Sequence, residues 1–243
     1  MKVVCVIPAR FDSTRFKGKP LVKICGKIVI QRVYEQVQKA NLIDEIYIAT
    51  DDQRIKQKSE SFGANVIMTS EDHACGTDRI AEAIQNIDTD IIINVQGDEP
   101  LIEPKALDTV LKPMKDDSNL KFATLITPID DEKEFLDKNV AKVVIDKNNF
   151  VMYCSRTKIP YSRDDDVTTI FKQIGVYVFR RDFLIKFSKM KQTPYERVEK
   201  LEQLRALENG YRLKAVETSY HPIGVDTQKK KKKVENILKE RGI

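Results

Sequence analysis

Four cationic side chains, Arg10, Arg15, Lys17 and Lys19, crowd into the segment IPARFDSTRFKGKP beside Ser13, Thr14 and Gly18. Guanidinium groups grip anionic oxygens through a bidentate fork and an ammonium acts as a point charge, so this density of positive charge suits phosphate. A solvated basic loop is the plain alternative. It is not a Walker loop, because GxxxxGK[ST] is absent, and GxGxxG is absent too. A second group, Gln96-Gly97-Asp98-Glu99-Pro100, puts an amide, a glycine and two carboxylates side by side. Asp98 is the candidate metal ligand there, since magnesium favours one or two carboxylates completed by phosphate oxygens and water. A polar turn closed by Pro100 is the alternative. Near the end, His221-Pro222-Ile223-Gly224-Val225-Asp226-Thr227 offers another carboxylate. An Asp just before a helix is most often an N-cap, so Asp226 becomes a ligand only in partnership with Asp98.

The elements that must position these groups alternate. Strand candidates Lys2–Ile7, Glu45–Ala49, Asn65–Met68 and Asp90–Val95 are interleaved with helix candidates Ile28–Ala40, Gln53–Phe62 and Asp78–Asn86. The runs VVCVI and DIIINV are apolar on both faces, as strands of a covered parallel sheet are. Both cationic and acidic groups then follow strands directly, where open α/β sheets bind ligands. After Lys121 strand candidates come in succession, Phe122–Ile126, Ala141–Ile145, Phe150–Cys154 and Ile174–Phe179, before helices Arg181–Phe187 and Tyr195–Asn209 and a strand Arg212–Val216. The fold class predicted is α/β with a mixed sheet and a β-rich insertion, in one domain over 1–243. Asp164-Asp165-Asp166 reads as an acidic loop.

Composition narrows the function. With 42 Lys plus Arg against 37 Asp plus Glu, the net charge is +5, and Lys229 to Lys233 alone account for it. Those lysines read as the wet side of a terminal helix with Val234, Ile237 and Leu238 inside. No Trp and few aromatics leave little stacking surface for single-stranded nucleic acid. No apolar run approaches the roughly 20 residues of a membrane span, and no secretory signal is readable at Met1-Lys2, so no membrane insertion and a cytoplasmic location are expected. Cys5, Cys25, Cys75 and Cys154 are far apart and only His73 and His221 could join them, which argues for free thiols over a zinc site.

Read together, IPARFDSTRFKGKPL, EDHACGTDRIAEAI, NVQGDEPLI, NVAKVVID, CSRTKIPYSR, IGVYVFR, LEQLRALENG and GVDT closely resemble the 3-deoxy-manno-octulosonate (KDO) cytidylyltransferases, or CMP-KDO synthetases, from end to end. The resemblance implies a glycosyltransferase-A-like Rossmannoid nucleotidyltransferase with a mainly parallel sheet. Residues 1–120 would mainly bind CTP, and 121–220 would contribute the sugar pocket and the contacts of a homodimer. The implied reaction makes CMP-KDO and pyrophosphate from CTP and KDO for lipopolysaccharide, with magnesium as cofactor. Carried over by position, Arg10, Ser13, Arg15 and Lys19 would hold the phosphates, and Cys75, Gly76, Thr77 and Arg79 of the CGTDR block, with Gln96, the nucleotide. Asp98 and Asp226 become magnesium ligands. Arg156, Gln173, Tyr177, Glu202 and Gln203 fall in blocks that look like the sugar pocket, with Arg156 suited to the KDO carboxylate. The implied mechanism is in-line attack of the anomeric hydroxyl on the α-phosphorus, with Lys19 offsetting charge and no protein nucleophile.

Three positions depart from the family pattern: Cys75 where Ser is expected, Cys154 where an aromatic is commoner, and Gln173 where His is usual. A Gln carbonyl accepts hydrogen bonds and cannot become a cation, so an 8-amino variant of KDO is an alternative acceptor. Other acidic sugars, such as sialic or pseudaminic acid, form a second alternative. A basic nucleic-acid binder is a third, which the neutral balance outside the lysine run disfavours.

Overall fold

Val3, Val4, Val6 and Ile7 are fully buried, so the first run has no wet face, and their β-branched side chains suit a pleated surface covered on both sides. They form β1 (Val3–Ala9). The protein, seen here as a computed structural model, is described over residues 1–12, 16–73, 75–164 and 168–243. A ribbon of β2 (Lys23–Ile24) and β3 (Lys27–Ile28) precedes α1 (Val29–Val37), β4 (Glu45–Thr50), α2 (Gln53–Glu60), β5 (Asn65–Met68), α3 (Gly76–Ala83), β6 (Ile91–Val95) and α4 (Pro104–Asp116). The chain continues with β7 (Phe122–Pro128), α5 (Glu132–Leu136), β8 (Lys142–Ile145), β9 (Val151–Ser155) and β10 (Phe171–Arg180). It closes with α6 (Arg181–Ser188), α7 (Pro194–Glu199), α8 (Gln203–Glu208), β11 (Lys214–Glu217) and α9 (Gln228–Glu240).

The sheet runs in the order β11-β7-β10-β6-β1-β4-β5. β1 is parallel to both β4 and β6, β4 to β5, and β11 to β7, while β10 is antiparallel to β6 and β7. The β8–β9 hairpin hangs on β10 through Phe171 and Lys172, which is the β-rich insertion the sequence predicts. Alternate side chains of β1 serve opposite layers. Val3, Cys5 and Ile7 pack with Ile30, Val33 and Leu107 of α1 and α4, whereas Val4 and Val6 meet Ile80, Phe183 and Leu204 of α3, α6 and α8. A third cluster of Ile24, Val29, Leu101, Val225, Val234 and Leu238 fastens α9 to the ribbon. With β4 on one side of β1 and β6 on the other, the loops after β1 and β6 open around a switch-point crevice.

The predicted helix Tyr195–Asn209 is two helices. Lys200 adopts a left-handed φ of 54°, and the chain turns through Leu201 before α8 begins. The turn folds α8 back on α7, so that Arg205 Nε and Nη2 donate to Glu196 Oε2 and Oε1 at 2.9 and 2.5 Å, both side chains being buried. The guanidinium also lies 4.7 Å from the centre of the Phe187 ring. A bidentate buried pair offsets the roughly 1–2 kcal/mol that a left-handed non-glycine residue costs. Glu196→Ala would leave Arg205 charged and unpaired in the core, so we expect about 3–5 kcal/mol of lost stability, read from urea unfolding. A loss below about 1 kcal/mol would mean that the pair does not hold α7 on α8.

Candidate active site

β1 ends at Ala9 and the chain leaves the sheet with Arg10 exposed. It returns at Gly18, whose φ is 70° and whose N–H donates to Phe11 O at 2.8 Å. A Cβ there would lie 3.0 Å from the Phe11 ring, so only glycine fits this turn. The turn delivers Lys19, whose Nζ stands 2.5 Å from Asp98 Oδ2. Asp98 arrives from the loop after β6 because Gly97 lets that loop press on β1: a Cβ on Gly97 would sit 2.9 Å from Pro8 O. Arg10, Lys19, Cys75, Gly76, Gln96 and Asp98 thereby line one cavity of about 230 Å3. Ser13 and Arg15, expected in the same loop, lie outside the described residues.

The CGTDR block starts α3 against this cavity. Cys75 is the N-cap, its Sγ accepting from Asp78 N–H at 3.4 Å, which is the work a Ser would do. Burial pushes its thiol pKa well up. Thr77 turns inward and donates from Oγ1 to Glu202 Oε1 at 2.7 Å. Arg79 borders the cavity but is almost wholly buried, donating to Asp51 Oδ2 and Thr69 Oγ1 at 2.5 Å each. Both hold α3 in place.

A second cavity, of about 960 Å3, adjoins the first, and Asp98 lines both. Asp226 also lines it, held there by Val225, whose N–H donates to Asp98 O at 2.7 Å. The N-cap of α9 is Thr227, whose Oγ1 accepts from Lys230 N–H at 3.3 Å, so the capping alternative for Asp226 is removed. Lys230 Nζ stands 3.0 Å from Asp226 Oδ1. Each carboxylate therefore carries a lysine ammonium.

Of the residues expected at a sugar, Arg156, Gln173 and Tyr177 line the second cavity, with Gln203 and Glu202 behind it. Gln203 is fully buried; its Nε2 donates to Gln173 Oε1 and its Oε1 accepts from Tyr177 OH at 3.1 Å. Gln173 Nε2 donates in turn to Thr124 Oγ1 at 3.1 Å. Burial raises the pKa of Glu202, which the Thr77 bond opposes. Arg156 gives Nε–H to Glu199 O at 2.6 Å and its other nitrogens to the carbonyls of Lys138, Asn139 and Lys200. Below it the buried ammonium of Lys142 donates to the carbonyls of Asp137, Val140 and Arg156 at 2.7, 2.9 and 2.9 Å. These two cations shape the wall from residues that would otherwise be loop.

Glu99 is a site residue that sequence reasoning passed over in favour of its neighbour. It is buried at the cavity floor, and Tyr220 OH donates to its Oε2 at 3.3 Å. Burial first, then the Asp98 charge, push its carboxyl up to about 8. Gly175, at a bulge of β10, makes room for it: a Cβ there would lie 3.2 Å from Gln96 Cγ and 3.8 Å from Glu99 Oε1. His73, within EDHACGTDR, borders the first cavity and contacts Glu82. The pairing with Tyr220 is tertiary and leaves no mark in the spacing.

Residues 4–230 match the family model described as Cytidylyltransferase. The chain is 48% identical over 253 residues to the 3-deoxy-manno-octulosonate cytidylyltransferase of Geotalea daltonii, covering all of both chains. It is 47% identical over 244 residues to the enzyme of that name from Fusobacterium nucleatum, covering 100% and 99%. A solved structure of CMP:2-keto-3-deoxy-manno-octonic acid synthetase complexed with CTP superposes with a TM-score of 0.95 at 39% identity, covering 99% of this chain and 100% of that one. A cytidylyltransferase from Leptospira borgpetersenii shares the fold alone, at 18% identity and a TM-score of 0.68 over 99% of this chain and 87% of its own. With two cavities meeting at Asp98 and likeness running the length of the chain, this protein belongs to the cytidylyltransferase family and, within it, to the 3-deoxy-manno-octulosonate cytidylyltransferases.

Proposed function

We propose that this chain transfers CMP from CTP to KDO and releases pyrophosphate, supplying the activated sugar for lipopolysaccharide. The observation that carries the reading is that Asp98 is common to a small cationic cavity and a larger one, with Asp226 tied to it through Val225. A nucleotide in the first cavity and a sugar acid in the second would meet at that carboxylate. The anomeric hydroxyl attacks the α-phosphorus, the bond to the bridging oxygen breaks with its electron pair leaving on pyrophosphate, and the hydroxyl proton passes to water. Positioning and charge carry most of such a transfer. Arg10 and Lys19 take phosphate oxygens, and the N-terminus of α3 at Cys75 and Gly76 adds main-chain donors and a favourable dipole. Gln96 offers its amide to the nucleotide, while Gln173 and Tyr177, braced by Gln203, face the acceptor.

Asp98 and Asp226 fit magnesium. They are hard oxygen donors from two loops in direct contact, and among the described residues no cage of three or more His, Cys, Asp or Glu surrounds them, which suits an ion that completes its shell with phosphate oxygens and water. When bound there, magnesium supplies Lewis-acid stabilisation of the charge on the transferring phosphate. The same carboxylates pair with Lys19 and Lys230, which keeps both ammoniums beside the reacting groups.

A homodimer is part of the proposal. Met152 on β9 and Tyr195 and Val198 on α7 are 65%, 57% and 81% exposed, and the Tyr153 and Tyr195 rings, 6.3 Å apart, set α7 beside β9. That apolar face would be covered by a second copy. The use of CTP and the free thiols support a cytoplasmic setting, and no helix among the described residues is long and apolar enough to cross a membrane.

Pyrophosphate release measured with CTP and a panel of eight- and nine-carbon sugar acids tests the reading; release is expected with KDO and magnesium together, and equal release with sialic acid would overturn the acceptor. Because Gln173 Oε1 already accepts from Gln203, kcat/KM for KDO is expected to equal or exceed that for the 8-amino form. Asp98→Asn is expected to fold normally by circular dichroism and to lose roughly 100-fold or more of kcat at saturating magnesium, the scale of removing one electrostatic stabiliser from a transition state. Met152→Glu with Val198→Glu should convert the species seen by light scattering from two chains to one; a wild-type monomer removes the dimer.

A further inference from the structure

An octulosonate carries its carboxylate on the same carbon as its anomeric hydroxyl, so whatever cation meets that carboxylate must stand close to Asp98 and Asp226. Arg156, which the family pattern suggests, directs its guanidinium at four main-chain carbonyls. Lys172 is paired with Glu134 at 2.5 Å, and Lys230 with Asp226. Three further lysines line the acceptor cavity, all exposed and, among the described residues, in no ion pair: Lys133 on α5, and Lys229 and Lys233 on α9, the helix that Asp226 directly precedes. Lys229 and Lys233 stand four residues apart on one side of α9, in the cavity that Asp226, just before the helix, also lines, while Val234 and Leu238 on the far side bury against Ile24 and Leu101. Side chains on a helix lean toward its N-terminus, which carries both lysines toward Asp226, and the positive end of the helix dipole adds to their field. Neither lysine lines the nucleotide cavity.

We propose that Lys229 and Lys233 form an anion subsite that holds the carboxylate of the acceptor sugar acid, an assignment that rests on the acceptor reading above. The lysine run then has two functions on one helix: Lys230 is the counter-ion of Asp226, and its two neighbours one step before and three after receive the substrate's charge. Lys232, exposed and outside the cavity lining, has neither role.

The test is steady-state pyrophosphate release by wild type, the double variant Lys229→Gln with Lys233→Gln, and Lys232→Gln as control, with calorimetric titration of KDO onto each protein alone. Loss of a charge-assisted contact predicts about a tenfold rise in the KDO KM of the double variant, with the CTP KM within about twofold of wild type. The heat of KDO binding should weaken in parallel, and the dependence of the KDO KM on salt should flatten. The control should match wild type throughout. Turnover by wild type with an unchanged KDO KM in the double variant overturns the subsite alone, as does an equal rise in both KM values. No release by wild type with KDO overturns the acceptor reading, and the subsite with it.

Discussion

The site depends on one main-chain hydrogen bond, from Val225 N–H to Asp98 O at 2.7 Å, which joins two loops that are far apart in the sequence. Neither loop belongs to a strand or helix at that point, so neither is held there by a ladder of its own. Two anchors bring them together. Gly97 lets the Asp98 loop lie on β1, and Val225 and Val234 bury in the cluster with Ile24, Val29 and Leu101. Each carboxylate has its own counter-ion, Lys19 at 2.5 Å from Asp98 and Lys230 at 3.0 Å from Asp226, so the two joined loops bring paired charges to the crevice.

A second constraint comes from charge turned inward. Lys142 and Arg156 direct their donors at backbone carbonyls of the wall between α5 and β9, and Arg205 is clamped by Glu196. A buried cation without partners is costly, and each of these has several, so each rigidifies the segment it touches. The larger cavity is thus walled by loops with a framework more typical of regular structure. Gln173, Gln203 and Tyr177 extend the same logic to neutral groups, each polar atom meeting another across β10 and α8.

Legibility followed locality. VVCVI and DIIINV could be read as buried strands because a run apolar on both faces has few other uses, and the cationic and acidic groups directly after them marked the crevice. The lysine helix was legible from Val234 and Leu238 at four-residue spacing. By contrast Tyr195–Asn209 keeps a helical pattern straight through Lys200, and tertiary contacts select the break, Glu196 with Arg205 and the Glu208 carboxylate with the N–H groups of Tyr195 and Glu196. α4 gave no candidate because Pro113 lies inside it and hides the stripe of Ala106, Leu107, Val110 and Met114. Within the site, Lys19, Asp98 and Asp226 come to two adjoining cavities, while Arg156, Thr77 and Arg79 direct donors at the surrounding framework. Glu99 was invisible because its partner, Tyr220, is distant in sequence.

Cys75 places a sulfur at the border of the smaller cavity. Attack on electrophiles and peroxides requires the thiolate, which burial disfavours at this position. Its lone pair is also directed at the Asp78 N–H of the helix it caps. The sulfur at the edge of this cavity is thereby committed to the start of α3, its acidity suppressed by the same burial that seats the helix.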